Sequence, residues 1–216
     1  MKKGNLLITI GLLLIAAALL LTVYNQWENY MAGKRANEAL KELRTYISSK
    51  ESQYMSEDQE SENENTIESG EDYPDYLLNP EMDMPVEVIN GNYYIGVLSI
   101  PALERELPII EQWDYSKLKI APCRYSGSAY LDNMVICAHN FIIQFASIGN
   151  LKYGDEVIFT DVDGNVFRYI VSEIITLQPT AIEQMKTGDW DLTLFTCTMS
   201  GNARITVRCE RQKTGN

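Results

Sequence analysis

Histidine is almost absent from this chain of 216 residues, which contains one, His139, and only four cysteines. The cysteines are widely spaced and form no C-x-x-C pair; they are Cys123, Cys137, Cys197 and Cys209. Zinc sites in proteins are built from closely spaced Cys and His ligands. The sequence therefore predicts no zinc site, and we expect neither a bound metal nor a cofactor.

Basic residues are missing from residues 51–87, a stretch that holds 13 acidic ones. By comparison, residues 1–50 carry 7 basic and 3 acidic residues, and residues 88–216 carry 11 basic and 14 acidic ones. Almost all of the formal net charge of −12 thus belongs to one segment. An excess of negative charge repels nucleic-acid phosphates, so we expect no nucleic-acid partner.

The same acidic segment has almost no aliphatic residues before Tyr73. Such a segment cannot bury enough apolar surface to offset its conformational entropy. The composition predicts an acidic, disordered linker over residues 51–85, which acts as an extended spacer. A metal-binding or partner-binding acidic tail is the alternative, and Tyr73–Leu78, where aromatic residues return, could form an inhibitory flap.

Charged residues are also absent between Gly4 and Trp27, where the chain is almost entirely apolar. A run of about 18 apolar residues is long enough to span a bilayer as a helix. A cleaved signal peptide is the alternative, but the run exceeds the roughly 7–15 residues of a signal core and no small-x-small site follows it. The sequence predicts an uncleaved transmembrane anchor over residues 1–27, in contact with membrane lipid.

Lys2 and Lys3 precede the anchor and favour a cytoplasmic N-terminus with an extracellular C-terminal part. We therefore expect a single-pass protein of the cell membrane. Residues 28–50 have apolar positions close to helical spacing, namely Ala36, Ala39, Leu40, Leu43 and Ile47. They predict a juxtamembrane amphipathic helix, for which a solvated spacer is favoured over a partner-binding helix.

The rest of the chain, residues 86–216, is predicted to be one mainly β domain, a barrel or a sandwich, with a few short helices. Its β-rich runs are bounded by turn residues; they are Tyr94–Ile100, Met134–Cys137, Val157–Thr160, Val166–Ile175, Leu192–Cys197 and Arg204–Glu210. Short helical patterns occur at Ser116–Leu118, after His139 and at Ala181–Lys186.

Three acidic residues, Glu156, Asp161 and Asp163, raise the alternative of a calcium site. The Asp-x-Asp-Gly sequence lacks the EF-hand loop and its distal Glu. An Asp-Gly pair between two β-rich runs is a hairpin signal. A hairpin turn at Asp163-Gly164 is therefore the preferred interpretation.

Three residue types suited to acyl transfer occur at predicted strand ends. Cys197 ends one strand before a Ser/Gly/Asn turn, whereas the other three cysteines lie in or beside apolar runs and are predicted to be buried. If the turn Met199–Ala203 joins two antiparallel strands, Arg204 lies beside Cys197 and can stabilise a thiolate or an oxyanion. His139 follows another strand and could transfer protons, although a lone histidine is more often structural.

Several neighbouring residues are weaker candidates for a role in this site. Arg208 lies on the same strand face as Arg204 and is the alternative arginine. Thr196 could orient the thiol or supply a backbone donor, although a β-branched residue is ordinary in a strand. Asn140 and Asp132 could orient the imidazole, but each is more simply a turn residue.

Three motifs, in this order along the chain, resemble those of the sortases, the membrane-anchored cysteine transpeptidases of mainly Gram-positive bacteria. Thr193–Cys197 (Thr-Leu-Phe-Thr-Cys) followed by Arg204 is similar to their Thr-Leu-x-Thr-Cys…Arg signature. Ala138-His139 resembles their Gly-His motif, with alanine in place of glycine. Residues 96–109, with Ile100-Pro101 and Leu107-Pro108-Ile109, are similar to their early Gly-x-Ile-x-Ile-Pro…Leu-Pro-Ile strands.

The resemblance implies a closed sortase-type β-barrel and a thiol-protease-like mechanism used for cell-wall protein anchoring. Cys197 would attack the threonine carbonyl of an LPxTG-like sorting signal of a surface protein, His139 would be the acid and base, and Arg204 would bind the substrate or the oxyanion. The acceptor would be an amine of a peptidoglycan precursor or of a pilin.

Two other functions are compatible with the same residues. One is a membrane-anchored cysteine peptidase that mainly hydrolyses, and the other is a non-catalytic β-barrel binding module; the presence of His139, Cys197 and Arg204 together argues against the second. The short turn after Cys197, the lack of a C-terminal extension and the lack of a class C lid segment resemble class B or D sortases more than class C.

Overall fold

The computed structural model describes residues 2–61 and 73–212. A long helix is followed by nine strands and three short helices. The helices are α1 Lys2–Ser61, α2 Asp75–Leu78, α3 Tyr115–Leu118 and α4 Ile182–Lys186. The strands are β1 Glu87–Ile89, β2 Asn92–Ile100, β3 Arg105–Ile110, β4 Cys123–Ser126, β5 Met134–Ala138, β6 Glu156–Asp161, β7 Val166–Leu177, β8 Leu192–Cys197 and β9 Arg204–Arg211. Single 3₁₀ turns lie at Pro101–Leu103 and Ile148–Asn150.

The strands form one sheet in the order β1-β2-β3-β4-β5-β8-β9-β7-β6. A further pairing between β2 and β6 closes eight of them into a barrel, and β1 extends β2 outside it. Most neighbours are antiparallel, but β3–β4 and β5–β8 are parallel pairs. Because β5 and β8 are parallel, both strands end at the same end of the barrel. The predicted mainly β fold with a closed barrel and a few short helices is confirmed.

Two apolar clusters cover the two faces of the barrel wall. Along β5, Met134, Ile136 and Ala138 belong to one cluster, while Val135 and Cys137 belong to the other. Because alternate residues of a strand point to opposite faces, the first cluster fills the barrel and the second lies outside it. The outer cluster also contains residues of α1, α3 and α4, so these helices cover the outer face.

All six predicted strands are present, with ends within two residues of those expected. The residue pattern does not predict β1, β3 or β4. β1 and β4 are only three and four residues long. β3 carries Pro108, which cannot donate to a sheet and normally argues against a strand.

The predicted anchor and the predicted juxtamembrane helix are parts of one continuous helix, since α1 runs from Lys2 to Ser61. Its stretch Leu7–Lys50 includes a window long and apolar enough to cross a membrane, and none of that window is buried. Further along, Ala39 and Leu43 are 1% and 0% exposed because they pack on the outer face of the barrel. The expectation of a solvated spacer is therefore wrong, because the apolar face of this helix completes the outer cluster.

The predicted disordered linker, residues 51–85, is ordered at both of its ends. α1 continues to Ser61, and Met84 is buried in the barrel core. The residues in between, 62–72, lie outside the described residues. Tyr76 orders the C-terminal end of this segment. Its ring stacks on that of Tyr130 with 4.6 Å between ring centroids, and its centroid lies 5.4 Å from that of Phe167.

The segment Tyr73–Leu78 does not cover the predicted site. Its Tyr76 contacts Phe167, near the start of β7, whereas Leu177, the last residue of β7, pairs with Arg204. The segment therefore closes the end of the barrel opposite to Cys197, where aromatic packing holds it in place.

Candidate active site

Sheet register brings the ends of β5, β8 and β9 together. Ala138 pairs with Thr196 in the parallel β5–β8 ladder, so His139 and Cys197 follow paired residues at the same end of the barrel. Cys197 pairs with Arg204 in the antiparallel β8–β9 ladder. Residues directly opposite each other in such a pair have Cβ atoms about 5 Å apart. The barrel thus places the three predicted residues on three adjacent strands at one end.

Cys197 differs from the other three cysteines in its access to solvent. It is half-buried, whereas Cys123, Cys137 and Cys209 are buried, as predicted, and all four are free thiols. Burial raises the pKa of Cys137 to about 12 and raises the pKa of Cys123 and of Cys209 as well. Because the thiolate is the nucleophile, these three cysteines are unreactive and Cys197 is the one thiol suited to attack a substrate.

His139 is half-buried and is held from two sides. Its ring stacks on Phe141 with 4.7 Å between ring centroids. Its backbone N–H donates to Gln144 Oε1 at 3.0 Å, and Gln144 Nε2 donates to the Leu118 carbonyl at 3.1 Å. The buried Gln144 therefore connects the residue that carries the imidazole to α3.

Sequence reasoning missed Gln144. Its signal was a single polar residue within the apolar run from Phe141 to Ala146. A buried amide must find hydrogen-bond partners, so its position predicts a structural contact. The identity of the partners depends on α3, which is close only in the folded chain.

Burial and two charged residues, Lys119 after α3 and Glu28 of α1, affect the pKa of the His139 imidazole. Burial lowers the pKa of His139 most, the positive charge of Lys119 lowers it further, and Glu28 raises it. Lys119 Nζ and Glu28 Oε1 are 2.8 Å apart, which raises the pKa of Lys119. At neutral pH the resting imidazole is therefore mainly neutral.

Thr196 joins the two strand ends that carry His139 and Cys197. Its buried hydroxyl donates to the Ala138 carbonyl at 2.9 Å. The hydroxyl thus points to the β5 backbone rather than to the thiol. Asn140 is half-buried in a bend after His139, and among the described residues it makes no hydrogen bond to the imidazole.

The Arg204 guanidinium folds over the turn that follows Cys197. Its Nη1 donates to the carbonyls of Gly201 and Ala203, both at 3.2 Å. Arg208, the alternative arginine, lies four residues further along β9. Its guanidinium is bound to Glu173 at 3.0 Å and to the Gln184 carbonyl at 2.7 Å. Arg204 is therefore the arginine next to Cys197, and Arg208 is held in an ion pair elsewhere.

Two acidic candidates lie away from the site. Asp132 is in the turn before β5, at the other end of the barrel, where it binds Arg211 Nη1 at 2.7 Å. The carboxylate of Asp161 accepts hydrogen bonds from Asp163 N and Asn165 in its own hairpin and from the Tyr130 hydroxyl in the loop before β5. Within the part of the chain that the structure describes, no group of three or more His, Cys, Asp or Glu residues could hold a metal ion.

Comparisons with known proteins agree on one family. A family model described as "Sortase domain" matches residues 98–212, more than half of the chain. No match was found among curated protein sequences. Sortase C from Streptococcus pneumoniae is 28% identical over 56% of this chain and 66% of that one, with a TM-score of 0.51.

Two further solved structures share the fold at lower identity. Sortase C1 from Streptococcus suis is 24% identical over 56% of this chain and 74% of that one, with a TM-score of 0.50. A Clostridium perfringens sortase D5 transpeptidase is 23% identical over 66% of this chain and 91% of that one, with a TM-score of 0.52. The family model and the barrel with its three converging strand ends show that the chain belongs to the sortase family of transpeptidases.

Proposed function

We propose that this sortase is a membrane-anchored enzyme that cleaves an LPxTG-like sorting signal between Thr and Gly and transfers the threonine acyl group to an amine. The observation that carries the proposal is the register of β5, β8 and β9. It supports Cys197 as nucleophile, His139 as acid and base, and Arg204 as the group that stabilises the oxyanion or the substrate.

In the first half-reaction, His139 takes the proton of the Cys197 thiol, and the resulting thiolate attacks the threonine carbonyl carbon, whose oxygen becomes an oxyanion. Arg204 lies opposite Cys197 in register, and its guanidinium supplies positive charge to that oxygen. As the C–N bond breaks, His139 gives its proton to the departing glycine amine. A thioester on Cys197 remains.

In the second half-reaction, an incoming amine attacks the thioester carbonyl. The neutral His139 takes the proton from this amine, the C–S bond breaks, and the Cys197 thiolate is regenerated. Attack by water instead gives hydrolysis. The half-buried position of the site limits the access of water and favours the amine when one is bound.

The acceptor amine belongs to a peptidoglycan precursor or to a pilin. The description of the Streptococcus pneumoniae sortase C structure refers to the pilin substrate specificity of that enzyme. The subclass of the present chain, class B or D rather than class C, stays a prediction from its motifs.

The anchor is the apolar part of α1, with the N-terminus in the cytoplasm and the barrel outside the cell. An 18-residue window within Leu7–Lys50 supports this, because it is apolar enough to cross a membrane and none of it is buried. The exposed aromatic residues Tyr24 and Trp27 follow the aliphatic run, where an interfacial aromatic belt would lie. Lys2 and Lys3 precede the anchor.

One experiment tests the proposed function. The full chain in detergent is incubated with a sorting-signal peptide, with and without an added amine such as triglycine. We expect an amine-dependent ligation product, which Cys197→Ala abolishes and the matched control Cys209→Ala retains. Cleavage without ligation would indicate a peptidase, and neither cleavage nor thioester would indicate a binding module.

A further inference from the structure

The end of the barrel that carries the active site lies next to the membrane end of α1. The carboxylate of Glu28, one residue after Trp27, is hydrogen-bonded to Lys119 at 2.8 Å. Five residues further along α1, Gly33 packs closely against Ile143. A methyl group at Gly33 would lie only 3.2 Å from Ile143 Cδ1, so the contact depends on the absence of a side chain there. Ile143 belongs to the loop that begins at His139.

The same helix leaves the barrel at the opposite end. Lys50 of α1 forms an ion pair with Asp163, in the hairpin between β6 and β7. β7 starts at that hairpin and ends at Leu177, which pairs with Arg204 beside Cys197. α1 thus crosses the barrel from the active-site end, at Glu28, to the far end, at Lys50.

The geometry of a continuous helix sets the height of the active-site end above the bilayer. An α-helix rises about 1.5 Å per residue, so Glu28 lies roughly 8 Å beyond Val23, where the aliphatic run ends. The headgroup region on each side of a bilayer is about 5–8 Å thick. Lys119, bound to Glu28, therefore lies at the level of the headgroups.

Two exposed apolar side chains lie at this end of the barrel. The loop residues 139–150 and the turn residues 198–203 include no Asp, Glu, Lys or Arg, whereas Lys152 and Asp155 follow before β6, and Glu104 and Arg105 line the groove beside Ile143. Ile142 is 80% exposed and Met199 is 93% exposed.

We propose that the active-site end of the barrel rests on the bilayer surface, with Lys119 and the loop around Ile142 among the lipid headgroups. The proposal rests on the membrane anchor proposed above. The site then opens at the membrane surface, where a substrate or acceptor held in the same bilayer meets it at a high effective concentration. The continuity of α1 into the apolar anchor argues for lipid as the occupant rather than a second protein.

The test is photo-crosslinking of the full chain in nanodiscs made of phosphatidylcholine and phosphatidylglycerol. Benzoylphenylalanine is introduced at Ile142, at Val166 as the control and at Leu14 as the anchor reference. Val166 is also exposed, at 49%, but starts β7 at the far end of the barrel. Intact-protein mass spectrometry measures the phospholipid adducts after illumination.

We expect phospholipid adducts at Leu14 and Ile142 and only background labelling at Val166. Adducts at Leu14 with background labelling at Ile142 would overturn the proposed orientation and leave the anchor intact. No adduct at Leu14 would overturn the anchor and this proposal together. Equal labelling at Ile142 and Val166, or a crosslink from Ile142 to a second copy of the chain instead of to lipid, would also contradict it.

Discussion

At the residue scale, the electrostatic environment of His139 depends on two charged side chains from different elements. Lys119 disfavours the imidazolium and Glu28 favours it, and burial acts in the same direction as Lys119. The chemistry needs the imidazolium to protonate the leaving amine and the imidazole to deprotonate the acceptor. Burial and the balance of these two charges therefore set the pH range of the enzyme together.

The single histidine makes this balance directly measurable, because imidazole NMR signals of the full chain come from His139 alone. Lys119→Gln removes the nearby positive charge and should raise the pKa of His139. Glu28→Gln removes the negative charge and should lower it. An NMR titration in detergent micelles measures both shifts, and shifts of the same sign would contradict the arrangement.

Gln144 is predicted to act as a positioning residue for His139. Gln144→Leu removes the acceptor of the His139 N–H and should cost about 1–3 kcal/mol of stability, because a buried donor is left unsatisfied. We expect kcat to fall with little change in KM, and the imidazole NMR signal to shift at temperatures where the protein stays folded. Gln184→Leu, on an exposed side chain, is the matched control. Loss of stability with an unchanged kcat and imidazole signal would show a purely structural role.

Substitutions at two arginines of β9 should have different effects: loss of Arg204 should lower kcat, and loss of Arg208 should lower stability. Arg204→Ala removes positive charge next to Cys197 and should lower kcat by about 10²–10³, as for loss of an oxyanion donor. Arg208→Ala breaks the ion pair with Glu173 and should lower the unfolding temperature while most of kcat is retained. Steady-state kinetics and thermal unfolding of the two variants test this, and the reverse order of effects on kcat would move the catalytic role to Arg208.

At the element scale, the sequence predicts elements better than their contacts. Runs of β-forming residues bounded by turn residues identify β2 and β5–β9. Of these, β5 and β8 are buried along almost their whole length. The helical spacing of Ala39, Leu43 and Ile47 predicts a helix but not its partner, because the outer barrel surface it covers comes from strands far along the chain. The order of Tyr76 is likewise not predictable from local sequence, because it depends on contacts with Tyr130 and Phe167, which are distant along the chain.

The contact between α1 and the barrel gives a stability prediction. Leu43 is fully buried in the outer cluster, so Leu43→Ala should lower the free energy of unfolding by about 2–5 kcal/mol through lost burial and a cavity. Leu78→Ala is the matched control, because Leu78 is 76% exposed. Chemical denaturation of the full chain in detergent measures both, and equal stabilities would show that this part of α1 is not docked on the barrel.

At the scale of the whole molecule, the sequence places the three candidate residues at strand ends, and the barrel topology brings them together. The turn between β8 and β9 makes the proximity of Cys197 and Arg204 predictable from local sequence. The proximity of His139 is not, because it depends on a parallel β5–β8 pairing across about 55 residues of intervening chain, which loop and helix patterns do not specify.

The most direct test of the central claim is a measurement of the acyl-enzyme by intact-protein mass spectrometry. The full chain is mixed with excess sorting-signal peptide without an amine and quenched in acid. The mechanism predicts a mass increase equal to the peptide fragment ending in threonine, mapped by digestion to Cys197, lost on addition of triglycine and absent in Cys197→Ala. An unmodified mass throughout the reaction, or an acyl group mapped to another residue, would contradict it.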